Sequence, residues 1–376
     1  VDINLDVSKK SDFYGDLNDY DVDLTPFKKA IVAIGKYCKE DVLILVEITV
    51  PPGTCQKVVH PIITNALKER GLGTDRIRIG HSYERVMPGP NYIDSIQNFF
   101  RVYSGIDQRS ADATEKFLRT IISTEKYPLT RLGSTNATEM AKVLENSYRA
   151  MNIAFAVEWS RFAEEADVNL YEVVRAIRMR PTHKNLMLPG IGVGGYCLTK
   201  DPLLASWSKK TLFGSEEGLG QSEKGVRIND KMPLFAYQFM KRELELENLK
   251  GLRALLLGVS YRSNVGDTRY SPVEPFYNYL IKDNCNVKLH DPYVQYWEEK
   301  GLSINKDYKG LFEEELDIVI ISTGHEEYKD SEPLLNLLLN QKKLFILDTV
   351  GLLSDNMINK LSQKHTIRVV GRGDLS

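Results

Sequence analysis

Cysteine and histidine are scarce in this sequence, and neither is spaced for metal binding. The 376 residues contain six dispersed histidines and four cysteines, Cys38, Cys55, Cys197 and Cys285, with no CxxC pair. A structural zinc site needs closely spaced cysteine or histidine ligands, and a disulfide framework needs cysteines at regular spacings. We therefore expect no metal ion and no disulfide framework.

The sequence also lacks an excess of charge of one sign and any long hydrophobic run. It has 49 basic and 51 acidic side chains and a formal net charge of −2, which gives no large field to attract nucleic acid or an anionic membrane. Apolar runs such as 252–259 are far shorter than the ~20 residues that span a bilayer. The first ten residues do not resemble a signal peptide. These absences predict a cytosolic protein with neither nucleic acid nor a membrane as partner.

Alternating helix and strand patterns occupy the two ends of the chain. Helical periodicity and strand-like runs alternate from Thr25 to Ser123, with a strand expected at 41–49, a helix at 54–70 and a polar loop at 81–89. Five short strand-like runs follow Asp230. Between them, residues 136–177 have only long amphipathic helical patterns. Alternation at this pitch is typical of a mostly parallel sheet covered by helices on both faces. The predicted class is α/β, with two Rossmann-like, doubly wound domains joined by a helical middle and spanning 1–130, 131–230 and 231–376.

A dinucleotide-binding fingerprint is missing from the expected place. A Rossmann domain opens with a strand that enters a glycine-rich turn at a helix start, and nothing before Asp41 has that pattern. The one literal GxGxxG, residues 190–195, follows Pro189 instead of a buried strand, so we reject it as a fingerprint. We expect the N-terminal domain to be incomplete.

Cys197 is the strongest candidate nucleophile. It follows a glycine-rich turn and is followed by Lys200 and Asp201. A reactive thiolate needs a nearby cation, helix start or base. The alternative is an inert buried cysteine, which is the more common state of an isolated cysteine.

A polar stripe lies on the helix that begins near Ala137. Lys142, Asn146 and Arg149 share one face at i, i+4 and i+7. The opposite face is apolar and carries Met140, Leu144, Tyr148, Met151 and Phe155. The polar stripe is either a solvated face or, through Lys142 and Asn146, a pair of donors for an oxyanion.

Three loops after predicted strands carry further candidates. Glu84 is either a general base or a surface carboxylate, and the turn 49–54 has Thr54 as an expected helix cap. Arg269 either binds a phosphate or forms a salt bridge within its loop. The pair His290 and Asp291 is at the usual position for contacting a ribose.

These segments together resemble the UDP-glucose/GDP-mannose dehydrogenase family from about Asp41 to the end of the chain. The resemblance is carried by five ordered motifs: Thr49-Val50-Pro51-Pro52-Gly53-Thr54, Glu84-Arg85-Val86-Met87-Pro88-Gly89, Lys142 with Asn146, Gly192-Val193-Gly194-Gly195-Tyr196-Cys197 with Asp201, and Asp267-Thr268-Arg269 with Ser271-Pro272.

The resemblance implies two successive NAD-dependent oxidations that convert the C6 hydroxyl of a UDP-sugar into a carboxylate. It assigns Cys197 as the nucleophile, Lys142 and Asn146 as oxyanion donors, Asp201 and Glu84 as aids to proton transfer and hydrolysis, and Thr49 as a residue that orients water. It implies that substrate is bound by Arg85, Arg149, Gly192, Gly194, Arg262 and Arg269. It implies that NAD is bound by Thr49, Glu84, Lys200 and Arg269. A homodimer built on the helical middle is also implied.

The run 145–154 and the Gly-Val-Gly-Gly turn resemble the N-acetylhexosamine branch, so a UDP-N-acetylhexosamine is favoured over UDP-glucose. Departures from the family pattern occur at Tyr83, Val157, Arg262 and Val350. Two other classes stay open. One is a non-catalytic UDP-sugar-binding protein without a complete NAD site, and the other is a hydroxyacid or sugar-acid dehydrogenase that does not need the thiol.

Overall fold

The computed structural model describes residues 1–86 and 91–375. Its first half alternates helices and short strands. In chain order these elements are β1 (Val7–Ser11), β2 (Leu17–Val22), α1 (Thr25–Tyr37), β3 (Leu43–Val46), α2 (His60–Glu69), β4 (Arg78–Tyr83), α3 (Tyr92–Gln97), β5 (Val102–Gly105), α4 (Gln108–Leu118) and β6 (Thr130–Arg131). Four helices follow: α5 (Thr135–Glu165), α6 (Leu170–Arg178), α7 (Asp201–Thr211) and α8 (Gly220–Leu244).

The last part of the chain returns to alternating strands and helices. These elements are β7 (Arg253–Leu257), α9 (Val273–Lys282), β8 (Asn286–His290), β9 (Tyr296–Trp297), β10 (Leu302–Ser303), β11 (Ile318–Ile321), α10 (Glu332–Asn340), β12 (Phe345–Asp348), α11 (Asp355–Leu361) and β13 (Thr366–Val369). The expected α/β class is confirmed.

The chain divides into two compact units. The N-terminal unit comprises Val1–Lys10, Leu17–Tyr148 and Lys200–Glu223. The C-terminal unit comprises Ser11–Asp16, Arg149–Thr199 and the residues from Lys224 onward. The division into three domains at 130 and 230 stays a prediction.

The N-terminal unit contains a four-stranded sheet in the order β3-β4-β5-β6. The pair β3 and β4 is parallel, but β5 runs antiparallel to β4, which the alternation pattern did not predict. Helices α1 and α2 pack closely because Gly35 has no side chain: a Cβ there would lie 2.6 Å from the Cβ of Ala66. Phe27, Ile31 and Ile63 are buried in this core.

The C-terminal unit contains a five-stranded, fully parallel sheet in the order β13-β12-β11-β7-β8. Every residue of β11 and β12 is buried, as expected for strands covered on both faces. Helices α8 and α9 contribute to one core cluster with these strands, and α10 and α11 to another. The expected parallel sheet is therefore found here. The strand order reverses between β7 and β11, which makes their carboxyl ends the topological switch point.

Several expected boundaries were wrong in detail. The strand expected at 41–49 is confined to β3, and the helix expected at 54–70 begins with a π-helical turn, Cys55–Val59. His81, expected in a loop, lies within β4. Strands β1 and β2 form a separate two-stranded sheet that was not expected at all.

Candidate active site

In the N-terminal unit, polar residues follow the carboxyl ends of the parallel strands β3 and β4. Thr49 is half-buried three residues after β3, and Glu84 is half-buried directly after β4. The Glu84 carboxylate accepts a hydrogen bond from the Val86 N–H, which fixes the start of this loop. The next part of the same family motif, 87–89, lies outside the described residues.

Lys142 is buried, contrary to a solvated stripe. Its side chain is only 7% exposed. Its Nζ donates to the Glu84 carbonyl oxygen at 2.9 Å and lies 5.4 Å from the centre of the Tyr83 ring. Helix α5 therefore delivers a cationic donor to the end of β4, in surroundings where a charge is only partly solvated.

Asn146, one turn further along α5, is also buried and binds Asp201. Its Nδ2 donates to Asp201 Oδ2 at 2.6 Å, and Lys200 Nζ donates to Asp201 Oδ1 at 3.1 Å. Asp201 is fully buried at the start of α7. A buried carboxylate needs such partners, so the two donors hold Asp201 in one orientation. The structure thus brings Asn146, Lys200 and Asp201 together.

Arg85 is held by α5 as well. Its guanidinium donates to Glu145 Oε2 at 3.1 and 3.2 Å and to the Tyr83 hydroxyl at 3.2 Å. Its carbon centre also lies 5.3 Å from the centre of the Tyr83 ring. Tyr83, where the family commonly has proline, therefore packs between Arg85 and Lys142.

The turn 51–55 is capped by a residue that the sequence analysis missed. The expected cap, Thr54, makes no side-chain capping bond, and its hydroxyl donates to the Pro51 carbonyl oxygen instead. Glu139, in the first turns of α5, accepts from the backbone N–H groups of Gly53 at 2.6 Å and Cys55 at 2.8 Å. This carboxyl fixes the turn that follows Thr49. No local sequence signal connects Glu139 to a turn more than 80 residues away.

Burial raises the pKa of Glu139 to about 7 from its usual 4.5, although the donated N–H bonds partly oppose the shift. The Glu139 carboxyl therefore binds its proton more tightly in the folded chain than in the unfolded chain. Its contribution to the free energy of unfolding is fully present below pH 4.5 and is lost as the pH rises through about 7. We expect the melting temperature to fall between pH 5 and pH 8 by less in Glu139→Gln than in the unchanged protein. Equal slopes in scanning calorimetry would contradict this assignment.

In the C-terminal unit, the glycine turn before Cys197 is tightly packed. A Cβ on Gly194 would lie 2.5 Å from the Cβ of Tyr261 and 2.8 Å from Pro272 Cδ. Gly192 has a φ of +144° and a Cβ there would lie 3.0 Å from Pro272. Thr199 Oγ1 donates to the Gly195 carbonyl oxygen at 2.9 Å, which closes the turn around Cys197. Glycine is required here both by conformation and by close approach.

Cys197 differs from the other cysteines in its exposure. All four are thiols, and Cys197 alone is exposed. Burial, together with the Glu139 carboxylate, raises the pKa of Cys55 well above its usual range, and burial raises the pKa of Cys285 to about 11. The inert buried state therefore describes Cys55 and Cys285, while Cys197 is accessible to a substrate.

Three arginines assigned by the family resemblance are exposed in the same unit. Arg149 and Arg262 are exposed. Arg269 is exposed too and pairs with Asp267 through bonds of 2.7 and 3.0 Å. The loop salt bridge that the sequence left open is thus formed, and it leaves the guanidinium at the surface.

The expected ribose contact at His290 and Asp291 is replaced by an internal network. Asp291 is fully buried, and its Oδ2 accepts from the N–H groups of Val259 and Ser260 at 2.8 and 3.0 Å and lies 3.2 Å from His325 Nε2. His290 Nδ1 is 2.7 Å from the Tyr328 hydroxyl. These contacts hold the ends of β7 and β8 in place, so His290 and Asp291 have a structural role here.

Comparison with known proteins gives matches along most of the chain. Models of three domains of the UDP-glucose/GDP-mannose dehydrogenase family match in sequence order: the NAD binding domain at 15–122, the central domain at 136–222 and the UDP binding domain at 255–355.

Whole-protein relatives agree with these matches. The UDP-N-acetyl-D-mannosamine dehydrogenase of Methanocaldococcus jannaschii is 31% identical over 357 residues, which cover 94% of this chain and 75% of that protein. The corresponding enzyme of Pyrococcus horikoshii is 32% identical, with 94% and 78% covered. The chain belongs to the UDP-glucose/GDP-mannose dehydrogenase family.

Solved structures agree with the family fold. The Pyrococcus horikoshii UDP-D-ManNAc dehydrogenase superposes with a TM-score of 0.76 at 28% identity, covering 94% of this chain and 78% of that one. An NDP-N-acetyl-D-galactosaminuronic acid dehydrogenase from Methanosarcina mazei superposes with a TM-score of 0.81 at 24% identity, covering 98% and 77%, and supports the fold. The expected enzyme class, NAD-dependent nucleotide-sugar dehydrogenase, and the cofactor NAD are confirmed at the level of the family.

The described residues fit NAD in part. Thr49 and Glu84 at the ends of parallel strands offer polar groups of the kind that bind a ribose or a nicotinamide amide. Within 1–86 and 91–148, no strand enters a glycine-rich turn at a helix start, so a cradle for the diphosphate is not among these residues. The GxGxxG at 190–195 follows no strand either.

Two further absences concern membranes and metals. Across the part of the chain that the structure describes, no helix has the length and apolar character needed to cross a bilayer. Over the same residues, no three acidic, histidine or cysteine side chains are grouped so that they could hold a metal ion.

Proposed function

We propose that the protein oxidises the C6 hydroxyl of a UDP-N-acetylhexosamine to the carboxylate in two NAD-dependent steps. NAD, when bound, accepts the hydride in each oxidation. The observation that carries the proposal is the burial of Lys142, Asn146 and Asp201, with Lys142 bonded to the Glu84 carbonyl oxygen and Asn146 bonded to Asp201. Burial of a cation, an amide and a carboxylate is costly, and a family member that only bound nucleotide would have no need of it.

The proposed covalent step uses Cys197. After the first oxidation, its Sγ adds to the C6 aldehyde carbon, a C–S bond forms and the carbonyl oxygen becomes the hydroxyl of a thiohemiacetal. Loss of a hydride and a proton leaves a thioester. Water then adds to the same carbon, the C–S bond breaks, and the products are the uronate and the regenerated thiol. The whole sequence consumes two NAD and one water.

The buried donors have matching roles. Negative charge develops on the C6 oxygen when sulfur or water adds, and preorganised donors are most effective against such charge in surroundings that exclude water. We assign this role to Lys142 and Asn146. Asp201 and Glu84 assist proton transfer and hydrolysis, and Thr49 orients the water.

The remaining assignments follow the family motifs. We propose that Arg85, Arg149, Arg262 and Arg269 contact the nucleotide sugar and that Gly192 and Gly194 let their backbone approach it closely. We propose that NAD is contacted by Thr49, Glu84, Lys200 and Arg269.

UDP-N-acetylmannosamine is our first choice of substrate. The relatives from Methanocaldococcus jannaschii and Pyrococcus horikoshii are both named for it, and the UDP-N-acetyl-D-glucosamine 6-dehydrogenase of Salmonella typhi is 27% identical. The test is NADH absorbance with the N-acetylated mannose, glucose and galactose forms and with UDP-glucose, each supplied with NAD. The highest kcat/KM should belong to an N-acetylated sugar. Preference for UDP-glucose would overturn the choice of branch. UDP-sugar binding without any NADH would instead favour the non-catalytic alternative.

We further propose that the protein forms a homodimer through α5. The apolar face of this helix is exposed instead of buried: Met140, Leu144 and Tyr148 are 51–62% exposed, and Phe155, Trp159 and Phe162 are 46–59% exposed. The last three rings are in contact, with centroids 5.9 and 6.0 Å apart. A continuous apolar face at helical spacing is typical of an interaction site. In a dimer with a two-fold axis, the apolar face of one copy packs against the same face of the other copy.

Phe162→Glu should disrupt this dimer. The substitution places two carboxylates in an apolar interface, one from each copy, and we expect the dissociation constant to rise at least about 100-fold. Sedimentation velocity measures the change. Phe117→Glu on α4, an exposed phenylalanine outside this face, is the matched control and should leave the oligomeric state unchanged. A monomeric unchanged protein at micromolar concentration would contradict the proposal.

A further inference from the structure

One aromatic side chain packs directly on the glycine turn before Cys197. The Cβ position of Gly194 lies 2.5 Å from Tyr261 Cβ, and that of Gly195 lies 2.7 Å from Tyr261 Cε2. Gly195 itself has a φ of +80°. The Tyr261 side chain therefore occupies the space that side chains at these two positions would fill, with its Cβ at Gly194 and its ring at Gly195. The turn and the ring fix each other by contact.

Tyr261 is itself held firmly at the end of β7. Its N–H donates to the Asp267 carbonyl oxygen at 3.0 Å. The preceding residue, Ser260, donates its N–H to the buried Asp291 carboxylate and its hydroxyl to the Arg262 carbonyl oxygen at 3.1 Å. The backbone at Ser260 and Tyr261 is thus held by hydrogen bonds to residues on both sides.

His325 completes this brace from the neighbouring strand end. It is fully buried, lies 3.2 Å from both Asp291 Oδ2 and Ser260 Oγ, and accepts the Asn264 N–H at Nδ1 over 2.9 Å. Asn264 has a φ of +61°, a strained conformation that the surrounding bonds maintain. The loop 259–264 at the switch point is therefore a rigid support for the Tyr261 ring.

We propose that Tyr261 is a positioning residue for the nucleophile: its ring transmits the rigidity of the switch-point loop to the glycine turn and so fixes the backbone that carries Cys197. The glycines make the turn flexible as a peptide, because glycine loses the most conformational freedom on ordering. Attack by sulfur requires placement within a few tenths of an ångström. The catalytic consequence rests on the proposed function, whereas the ordering of the turn does not.

The test is amide hydrogen exchange of peptides from 190–199, measured in the whole protein without ligands. In Tyr261→Ala, exchange in these peptides should be at least about fivefold faster than in the unchanged protein. Local opening of the turn costs less free energy when there is no ring contact to break. Tyr261→Phe keeps the ring and should restore the slow exchange. Tyr293→Ala is the matched control. That tyrosine stacks on His325 with centroids 5.2 Å apart, and the nearest atoms to Gly194 and Gly195 come from Tyr261, Tyr270 and Pro272.

Turnover supplies the second measurement. Tyr261→Ala should lower kcat by on the order of tenfold with the KM for the UDP-sugar changed less than about twofold, because misplacement of a reacting group affects the chemical step. Unchanged exchange at 190–199 in Tyr261→Ala overturns the inference, whatever the turnover. Faster exchange throughout the C-terminal unit, equal in Tyr261→Phe, also overturns it by indicating general destabilisation. Absence of NADH formation by the unchanged protein would refute the proposed function while leaving the exchange result to decide the positioning.

Discussion

Replacing Cys197 by serine should reduce formation of the uronate from the UDP-sugar by about 10⁴-fold or more, because removal of a nucleophile leaves only binding and electrostatic contributions. A serine hydroxyl has the same shape, but its far higher pKa leaves it a poor nucleophile at neutral pH. UDP-sugar affinity, measured by isothermal titration calorimetry, should stay within about twofold, because sulfur contributes little to binding before it reacts.

The matched control is Cys38→Ser, which alters a half-buried thiol in the N-terminal unit and should leave turnover unchanged. A Cys197→Ser protein that still forms the uronate at the original rate, with two NADH for each sugar, would rule out the covalent mechanism and favour a dehydrogenase that does not need the thiol. Loss of UDP-sugar binding in the same variant would show that the substitution acts on the structure of the pocket.

The second large effect is expected at Lys142. Lys142→Met keeps an unbranched side chain of nearly the same length but removes the donor, and we expect kcat to fall by about 10²–10³-fold, the usual cost of one oxyanion donor. The measurement is the steady-state rate at saturating UDP-sugar and NAD. Removing the ammonium group also frees the Glu84 carbonyl oxygen, to which Lys142 donates, so the melting temperature must be measured in parallel.

Lys68→Met provides the comparison for Lys142→Met. Lys68 lies exposed near the end of α2, and the substitution repeats the chemical change without removing a buried donor. We expect its kcat and melting temperature to be those of the unchanged protein. If Lys142→Met retains full kcat, Lys142 serves only to tie α5 to the end of β4.

The C-terminal sheet could be predicted from sequence because its central strands are buried on both faces. Runs such as 318–321 and 345–348 are almost wholly apolar, and a continuous apolar run bounded by turns indicates a parallel strand. The N-terminal sheet was harder. The antiparallel direction of β5 and the separate pair β1 and β2 depend on partners distant in the chain, which local periodicity does not contain.

The α5 helix shows why a helical pattern can be identified correctly while its environment is not. The sequence separated a polar from an apolar face, but it left open whether the polar face was exposed to solvent. Here Lys142 and Asn146 are buried, while Leu144 and Phe155 are exposed. The polar atoms find partners at Glu84 and Asp201, which offset the cost of burial. Such an inversion is decided by tertiary contacts and, as we propose, by a second copy of the chain.

The candidate site was found from family motifs more than from isolated residues. Spacing alone could not decide whether Arg269 binds a phosphate or forms a salt bridge. It also could not find Glu139, Tyr261 or the Asp291–His325 network, because each acts on a segment far away in sequence. These residues hold loops in place, and such positioning roles leave no local pattern.

The most direct test of the central claim is the stoichiometry of a complete reaction. The unchanged protein is given a limiting amount of UDP-N-acetylmannosamine with excess NAD; NADH is followed by absorbance and the product by mass spectrometry. The covalent four-electron mechanism predicts two NADH for each sugar consumed and a UDP-sugar uronate as the product. One NADH for each sugar, with an aldehyde or ketone accumulating, would contradict it.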